Sequence, residues 1–363
     1  MLRSAIVSLP ITPRKNPTLG LILIPFLMDV LSKKMGVDRV LALNVNGSKL
    51  YGEDIEIHAQ GYVQANSNFG IIPHSIWRDD QQENMYWINV FFQQLFADGI
   101  ITMEDRELLR CPCRAVETLA LAENRSETRR LYEKKEGLSH CKICGGIVTN
   151  EIDSVYLFRV PSIPVNWHVF PEFTKKEILH TMKRFTGTQL LISRTRPSAL
   201  PLWTGQEHIF LDVDFAWQLC LPILRRFGYQ PVVLVGSQKN LFGCYLTMLL
   251  LYLIDKTTVE LVVPAYCKTA KEEGGSKLMD FPNWNKSHAR LFLAAHCTFH
   301  KKEVSFDPSL LKSIARMPPT SAMQAVQSRG QQLSEALLEC EGVTIRDLLS
   351  SHNYTHNFLT ELT

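Results

Sequence analysis

The feature that most constrains this chain is its beginning, where a short apolar run, a proline-rich loop and a long apolar run follow one another. Residues Ala5 to Leu9 have the composition of a strand closed by a proline, and Leu21 to Met35 is long enough for roughly three to four helical turns. A strand, a tight loop and a helix in this order typically begin a parallel α/β sheet. Such a loop aims backbone N–H groups at an anion, so we predict a nucleotide site here; the alternative is an ordinary βα unit without a ligand.

Size and composition favour a soluble protein of two or more domains, since 363 residues with 45% hydrophobic content can bury a large core. The net charge of +3 comes from scattered basic residues, so any RNA contact would be local. The most apolar stretch, Leu246 to Ile254, is far shorter than the roughly 20 residues that cross a bilayer, and the N-terminus lacks a secretory pattern. With nine cysteines, an odd number, we expect reduced thiols in a cytoplasmic protein with no membrane partner.

Four cysteines form two closely spaced pairs, which is the strongest metal signal in the chain. Cys141 and Cys144 form a C-x₂-C motif followed by glycines, whereas Cys111 and Cys113 are one residue closer together. Zn²⁺ binds four thiolates in a tetrahedron, so we predict a closed, structural zinc site. In one alternative the first pair supplies a single thiolate and His140 completes the set; in the other, all four thiols are free.

The remaining pattern is of the α/β type. Strands are predicted over Arg39 to Val45, Gln189 to Ser193, His208 to Val213 and Val232 to Val235, and helices over Trp77 to Phe96, over Phe173 to Phe185 and from residue 241 to Ile254. Tyr51 to Asn68 is a polar, glycine-punctuated segment, and Glu117 to Lys135 is predicted to be a charged, solvated helix. A dehydrogenase would require a G-x-G-x-x-G motif, which this chain lacks.

Several short motifs then occur in the order that one enzyme family shows. In chain order they are Pro17-Thr18-Leu19-Gly20-Leu21, Phe92 to Ile101 followed by Arg110-Cys111-Pro112, Ile192-Ser193-Arg194, Phe210-Leu211-Asp212, Val235-Gly236-Ser237-Gln238, Lys268-Thr269-Ala270-Lys271-Glu272 and Ser287 to Leu293. Together they resemble the catalytic domain of class I aminoacyl-tRNA synthetases, closest to the methionyl type and its leucyl, isoleucyl and valyl relatives. The resemblance covers about residues 4 to 306, and no single motif is exact.

This resemblance implies a fold and a domain order. The implied fold is a Rossmann-like parallel α/β sheet of the class I synthetase type, split by a zinc-bearing connective-peptide insertion and followed by a short helical part. The implied segments are the first half of the sheet domain (1–72), the insertion (73–188), the second half (189–265), a KMSKS-like loop with a stem-contact-like fold (266–306) and a helical tail (307–363). The tail is too short for a full anticodon-binding domain, and Ile192 to Arg194 would return the chain to the sheet.

The resemblance also implies a site for ATP with Mg²⁺. The residues it assigns to catalysis are Thr18, Gly20, Lys268 and Lys271, and those it assigns to nucleotide binding are Pro17, Leu21, Asp212, Gly236 and Ser237. Thr18 and Leu21 stand where the family has the two histidines of its HIGH motif, and Leu21 cannot donate a hydrogen bond. Losing one transition-state donor typically costs about 10²–10³ in rate, so Arg14 or Lys15 would have to substitute.

Each of these assignments has an alternative. The lysines of the KMSKS-like stretch could be ordinary surface lysines, and Lys277 gives another alignment of the motif. Asp212 and Asp214 could address an amino group or a ribose, or cap a helix. Trp203 and His208 could line an amino-acid pocket or be structural.

We therefore expect ATP-dependent activation of an amino acid, or use of an aminoacyl-tRNA, to deliver an aminoacyl group to a small acceptor or an RNA stem. The rival hypothesis is an inactive paralogue that binds tRNA, an amino acid or a protein. The missing histidines favour the rival, and the lysine pair favours the enzyme.

Overall fold

The computed structural model describes most of the chain up to Lys268 and scattered residues beyond it. The described residues are 2–15, 17–46, 54–120, 132–164, 166–196, 199–204, 209–268, 290, 293, 297, 299 and 302–305. Predictions for Lys271, Lys277, His208 and the helical tail lie outside them.

The chain alternates strands and helices through its first part and enters a strand-rich segment after the third helix. In order, the elements are β1 (Arg3–Ser8), α1 (Leu19–Met35), β2 (Asp38–Leu43), α2 (Ile55–Asn68), β3 (Ser75–Arg78), α3 (Gln82–Ala97), β4 (Ile101–Arg110), β5 (Glu117–Leu119), β6 (Tyr132–Lys135), β7 (Leu138–Cys141) and β8 (Thr149–Arg159). The later elements are β9 (Val169–Phe170), α4 (Glu172–Phe185), β10 (Gln189–Leu191), β11 (Ser193–Arg194), β12 (Leu200–Pro201), β13 (Phe210–Leu211), α5 (Val213–Ala216), α6 (Cys220–Arg226), β14 (Tyr229–Val235), α7 (Leu241–Asp255), β15 (Glu260–Val262), β16 (Tyr266–Lys268) and β17 (Glu303–Ser305).

A six-stranded parallel sheet forms the core of the first compact unit, with the strand order β3-β2-β1-β14-β15-β9. This unit comprises residues 1–79, 165–184 and 218–363. Strand β1 lies inside the sheet, and Ala5, Ile6 and Val7 are fully buried. Burial on both faces is typical of a parallel sheet covered by helices, so the predicted α/β architecture is confirmed.

Helix α1 contains a proline, which removes one backbone hydrogen bond, and a tyrosine of α2 supplies the missing donor. Pro25 has no N–H to donate to the carbonyl of Leu21, four residues earlier. The hydroxyl of Tyr62 donates to that oxygen instead, at 2.6 Å. Tyr62 is fully buried, and burial raises the pKa of its phenol far above the usual range. The hydrogen bond therefore links α2 to the helix that carries the candidate nucleotide loop.

We predict that Tyr62→Phe lowers the free energy of unfolding by about 1–3 kcal/mol, because it leaves a carbonyl without a donor. Pro25→Ala restores a backbone N–H, so Tyr62→Phe should cost less in the Pro25→Ala background. Urea unfolding of the four proteins measures this double-mutant cycle. Equal costs in both backgrounds would contradict the account.

Two helices among the first 100 residues differ from the sequence predictions. The polar segment that ends at Asn68 contains helix α2. The helix begins after its N-cap residue Asp54, whose carboxylate accepts the N–H groups of Glu56 and Ile57. The helix predicted from Trp77 begins later, at Gln82, because Trp77 belongs to β3 and pairs with Ala42 of β2. Because the aromatic pattern of α3 continues back to Trp77 in the sequence, the pattern does not mark where β3 ends and α3 begins.

The second compact unit comprises residues 80–164 and 185–217 and is built from antiparallel sheets. One has the order β10-β8-β4-β5, a second is β11-β13-β12, and β6 and β7 form a hairpin. The prediction that Ile192 to Arg194 and Phe210 return to the parallel sheet is wrong, since β11 and β13 pair with each other. The predicted helix over Glu117 to Lys135 is also wrong at its described ends, which are β5 and β6.

Strand β14 and helix α7 form a second strand–loop–helix motif in the parallel sheet, like that of β1 and α1. Helix α7 begins after Asn240, whose side chain accepts the N–H of Gly243 at 3.1 Å. The helix occupies the predicted stretch, and most of its apolar residues are buried. Within the described part of the chain, no helix combines the length and the apolar character that a bilayer crossing requires.

Candidate nucleotide loop and metal centre

The loop that follows β1 is attached to strands on both sides of it. The N–H of Leu9 donates to the carbonyl of Val235 at 2.8 Å, and the N–H of Ile11 donates to Ala42 at 3.1 Å. The N–H of Lys15 donates to Nδ1 of His58 at 2.9 Å, which fixes the far part of the loop to α2. The loop therefore lies at the carboxyl ends of the central strands, where doubly wound sheets usually bind ligands.

The loop delivers the chain into the N-terminus of α1. Thr18 is the N-cap residue and has an extended backbone, but its side chain forms no capping hydrogen bond within the described structure. The first turn contains no acidic residue, so the positive helix end is not neutralised there. Pro17 is buried, and Leu21 is partly buried. This geometry suits an anion, and the nucleotide-binding roles of these residues stay predictions.

Gly20 lies against the strand that carries the first lysine of the KMSKS-like stretch. A Cβ atom placed on Gly20 would lie 3.5 Å from the carbonyl oxygen of Cys267, an ordinary contact distance. Lys268 follows on β16, and its Nζ forms an ion pair with Glu303. The strand of Lys268 therefore passes beside Gly20, whereas the side chain of Lys268 is ion-paired with Glu303, and the site roles of both residues stay predictions.

Gly236, at the end of β14, has a packing role that its motif does not reveal. Its N–H donates to Val262 at 2.8 Å, and an added Cβ would lie 2.6 Å from Sγ of Cys244. A side chain at this position would therefore clash with α7. Ser237 follows as the N-cap of the short turn Gln238–Asn240.

Sequence reasoning missed two polar residues at the same sheet edge. Asp79, after β3, accepts the N–H groups of Val45 and Asn46 at 2.7 and 3.1 Å. The amide of Asn46 is fully buried and has no hydrogen-bond partner among the described residues. Neither residue belongs to a motif that the sequence analysis singled out, because Asn46 follows a strand and precedes a glycine, a pattern typical of a turn.

The two glycines provide a matched pair of variants. We predict that Gly236→Ala lowers the free energy of unfolding by about 1–3 kcal/mol through overpacking, and that Cys244→Ala in the same chain restores part of this loss. Gly20→Ala should leave stability within about 0.5 kcal/mol, because its Cβ has room. Thermal unfolding measures all three effects. A large loss with Gly20→Ala would contradict the geometry.

The other residues assigned to a pocket lie in the second unit. Asp212 caps α5 by accepting the N–H of Asp214 at 2.7 Å, and it forms an ion pair with Arg194. Trp203 is half exposed, and its ring lies 5.5 Å from that of Tyr86. Asp212 therefore has the capping geometry that the sequence allowed, and its role in nucleotide binding stays a prediction.

The four paired cysteines converge at one point. The Sγ atoms of Cys111, Cys113, Cys141 and Cys144 all lie within 4.8 Å of one another, with 3.4 Å between the first two and 3.9 Å between the second and third. Thiolates on a tetrahedral Zn²⁺ lie about 3.8 Å apart. Nδ1 of His140 contacts the carbonyl of Gly145 at 3.1 Å, so the cluster has four sulfur atoms without it.

Backbone N–H groups support this cluster. Val116 donates to Sγ of Cys111 at 3.2 Å, and Ile143 donates to Sγ of Cys141 at 3.4 Å. A hydrogen bond from the N–H of Gly146 lowers the pKa of Cys144 to about 7. Such donors stabilise thiolates, which are the form that binds a metal. The cluster could therefore hold a metal ion.

The comparisons with known proteins bear on the fold. The chain matches no family sequence model and no curated protein sequence. It is similar in structure to Mycobacterium tuberculosis methionyl-tRNA synthetase in complex with methionyl-adenylate, at a TM-score of 0.64 and 11% identity over 87% of this chain and 69% of that one.

A second structure of the same synthetase with methionyl-adenylate also has a TM-score of 0.64 and 11% identity, over 92% of this chain and 72% of the synthetase chain. The free-state structure gives 0.60 and 11%, over 86% and 65%. At this identity the likeness shows the fold, so the predicted methionyl-tRNA synthetase-like, class I synthetase fold is confirmed.

Proposed function

We propose that the protein activates an amino acid with ATP, as class I synthetases do, and so forms an aminoacyl-adenylate. The observation that carries the proposal is the fold shared with a synthetase that binds methionyl-adenylate. The proximity of Gly20 to the carbonyl of Cys267 supports it, because the helix end predicted to bind an anion and the strand of Lys268 lie side by side.

In the proposed reaction, an oxygen of the amino-acid carboxylate attacks the α-phosphorus of ATP. A bond from that oxygen to phosphorus forms, the bond from phosphorus to the bridging oxygen breaks, and pyrophosphate leaves. The N-terminus of α1 would hold the phosphates, with Thr18 donating to them, and Lys268 and Lys271 would neutralise the charge on pyrophosphate. Mg²⁺, when bound with ATP, would supply further positive charge.

The second candidate is an inactive paralogue that binds an amino acid, a tRNA or a protein. Two observations favour it. Leu21 cannot donate a hydrogen bond at a position where the family has a histidine, and Lys268 is ion-paired with Glu303. An ion pair of this kind lowers the charge available to a phosphate.

Exchange of labelled pyrophosphate into ATP separates the two candidates. We predict exchange that depends on one of the standard amino acids and that falls when Lys268→Gln removes a cation. Absence of exchange with every standard amino acid would contradict the adenylation proposal.

A variant that carries both histidines of the family's HIGH motif tests whether their loss lowers the rate of pyrophosphate exchange. We predict that Thr18→His with Leu21→His raises exchange by about 10²-fold or more, because each histidine adds a transition-state donor. Glu303→Gln, which frees Lys268, is the matched control on the other side of the site and should raise exchange less. If the histidine variant binds ATP but remains silent, the inactive-paralogue proposal gains.

We also propose that the cysteine cluster holds a structural Zn²⁺, since four thiolates leave no open position for catalysis. The zinc would fix the hairpin of β6 and β7 to the loop after β4. Thiolates persist in a reducing compartment, which agrees with the proposed location in the cytoplasm.

We predict one zinc ion per chain, lost in Cys144→Ser and retained in His140→Gln, because the histidine lies outside the sulfur cluster. Zinc content after dialysis, measured by mass spectrometry, checks this. The zinc affinity should fall steadily as the pH decreases, from well above neutral pH, since protons compete for all the thiolates and burial raises the pKa of Cys113 and Cys141, while that of Cys144 is about 7. Zinc loss in His140→Gln alone would contradict the four-cysteine set.

The acceptor of the aminoacyl group is proposed to be a small molecule or an RNA stem. Transfer assays with each class of acceptor distinguish the two. Incubation of the protein with labelled amino acid, ATP and total tRNA tests the RNA arm directly.

A further inference from the structure

A cavity of about 410 Å³ opens beside α4 in the first unit. It is lined by Lys176, Glu177, His180, Thr181, Gln238 and Leu241. Helix α4 follows β9, and Gln238 follows β14, so both walls begin at the carboxyl ends of strands. The volume falls within the range of about 300–1,000 Å³ that small-molecule sites occupy.

One wall of the cavity is held by hydrogen bonds. The hydroxyl of the buried Thr174 donates to Oε1 of Gln238 at 3.2 Å. The amide nitrogen of Gln238 then donates to Glu177, and Lys302 forms an ion pair with the same carboxylate. Among the lining residues, Glu177 carries the negative charge, and the ammonium of Lys302 compensates that charge.

The α4 side of the cavity also presents the exposed side chains of Lys176 and His180 and the partly buried Thr181 as hydrogen-bond donors. Lys176 and His180 are four residues apart on α4, so their side chains lie on the same face of the helix, with Thr181 beside them. Within the described ranges, these three side chains have no hydrogen-bond or ion-pair partner. With Glu177 compensated by Lys302, the cavity carries a net positive charge.

We propose that this cavity binds the phosphate group of a small molecule. A lysine ammonium, an imidazole, a hydroxyl and an amide are the donors that a phosphate accepts hydrogen bonds from. The proposal goes beyond amino-acid activation, since none of the residues assigned to that reaction lines this cavity. One uncompensated lysine beside a histidine, in a cavity of this size, suits a single phosphate group better than a polynucleotide, which is bound by a row of cations.

The test is a titration of the full chain with inorganic phosphate, followed by the imidazole proton signals in NMR spectra. His180→Gln identifies the signal of His180. We expect that signal to shift saturably, and Lys176→Gln to weaken the affinity by about tenfold. Lys183→Gln, on the same helix but outside the cavity lining, is the matched control and should change the affinity less than twofold.

Three outcomes would overturn the proposal. A signal of His180 that does not shift saturably would remove the site. Equal weakening by Lys176→Gln and Lys183→Gln would indicate general attraction to a basic helix. Displacement of phosphate by a single-stranded oligonucleotide, with an affinity that depends on Lys183, would identify a nucleic-acid surface instead. Unfolding curves of the three variants check that they fold like the parent.

Discussion

The parallel pairing of β1 with two strands that lie far apart in the sequence, β2 and β14, is the constraint from which the rest follows. Strand β1 pairs with β2 on one side and with β14 on the other, in a register that sets Arg3 opposite Tyr229 and Ser8 opposite Val235. Parallel neighbours cannot be joined by a hairpin, so each pairing requires a crossover, and the long crossovers can contain a whole second unit. Because parallel strands end at one edge, the loops after β1 and β14 necessarily meet there. The position of the candidate nucleotide loop at this edge therefore follows from the strand pairing.

A buried carboxylate adds a second connection to the same helix. Asp29 of α1 is fully buried and lies 2.8 Å from Nζ of Lys33, 3.4 Å from Nε of Arg39 and 2.8 Å from a guanidinium nitrogen of Arg290. A buried charge is costly unless it is paired, and here the cations come from the helix itself, from β2 and from a residue far along the chain. Arg290 also lies over the ring of Phe26, 5.2 Å from its centre. Helix α1 is thus the element on which distant segments converge.

Much of the fold could be predicted because its main elements are apolar. Helices α1 and α7 and the central strands are continuous apolar runs, helix α4 is amphipathic, and the cysteine pairs have a recognisable spacing. Helix α2 was missed because its buried face has few apolar residues, and one of its buried residues is Asn66. Strand β3 was missed because the aromatic pattern of α3 runs into it at Trp77. The partners of β11 and β13 could not be predicted either, since a short apolar run does not specify which sheet it joins.

The tight first cysteine pair illustrates a limit of spacing rules. A C-x-C segment has one residue fewer than the usual knuckle, yet both sulfur atoms enter the cluster. The chain achieves this by a left-handed residue at Arg114, with φ of 58°, whose N–H donates to the carbonyl of Cys111 at 2.9 Å. The ends of the loop are closed by Arg110 and Glu117, which face each other across β4 and β5 and form a buried ion pair at 2.7 Å. The knuckle is therefore built by strand pairing and a buried charge pair as much as by the cysteine spacing, and neither can be read from the spacing alone.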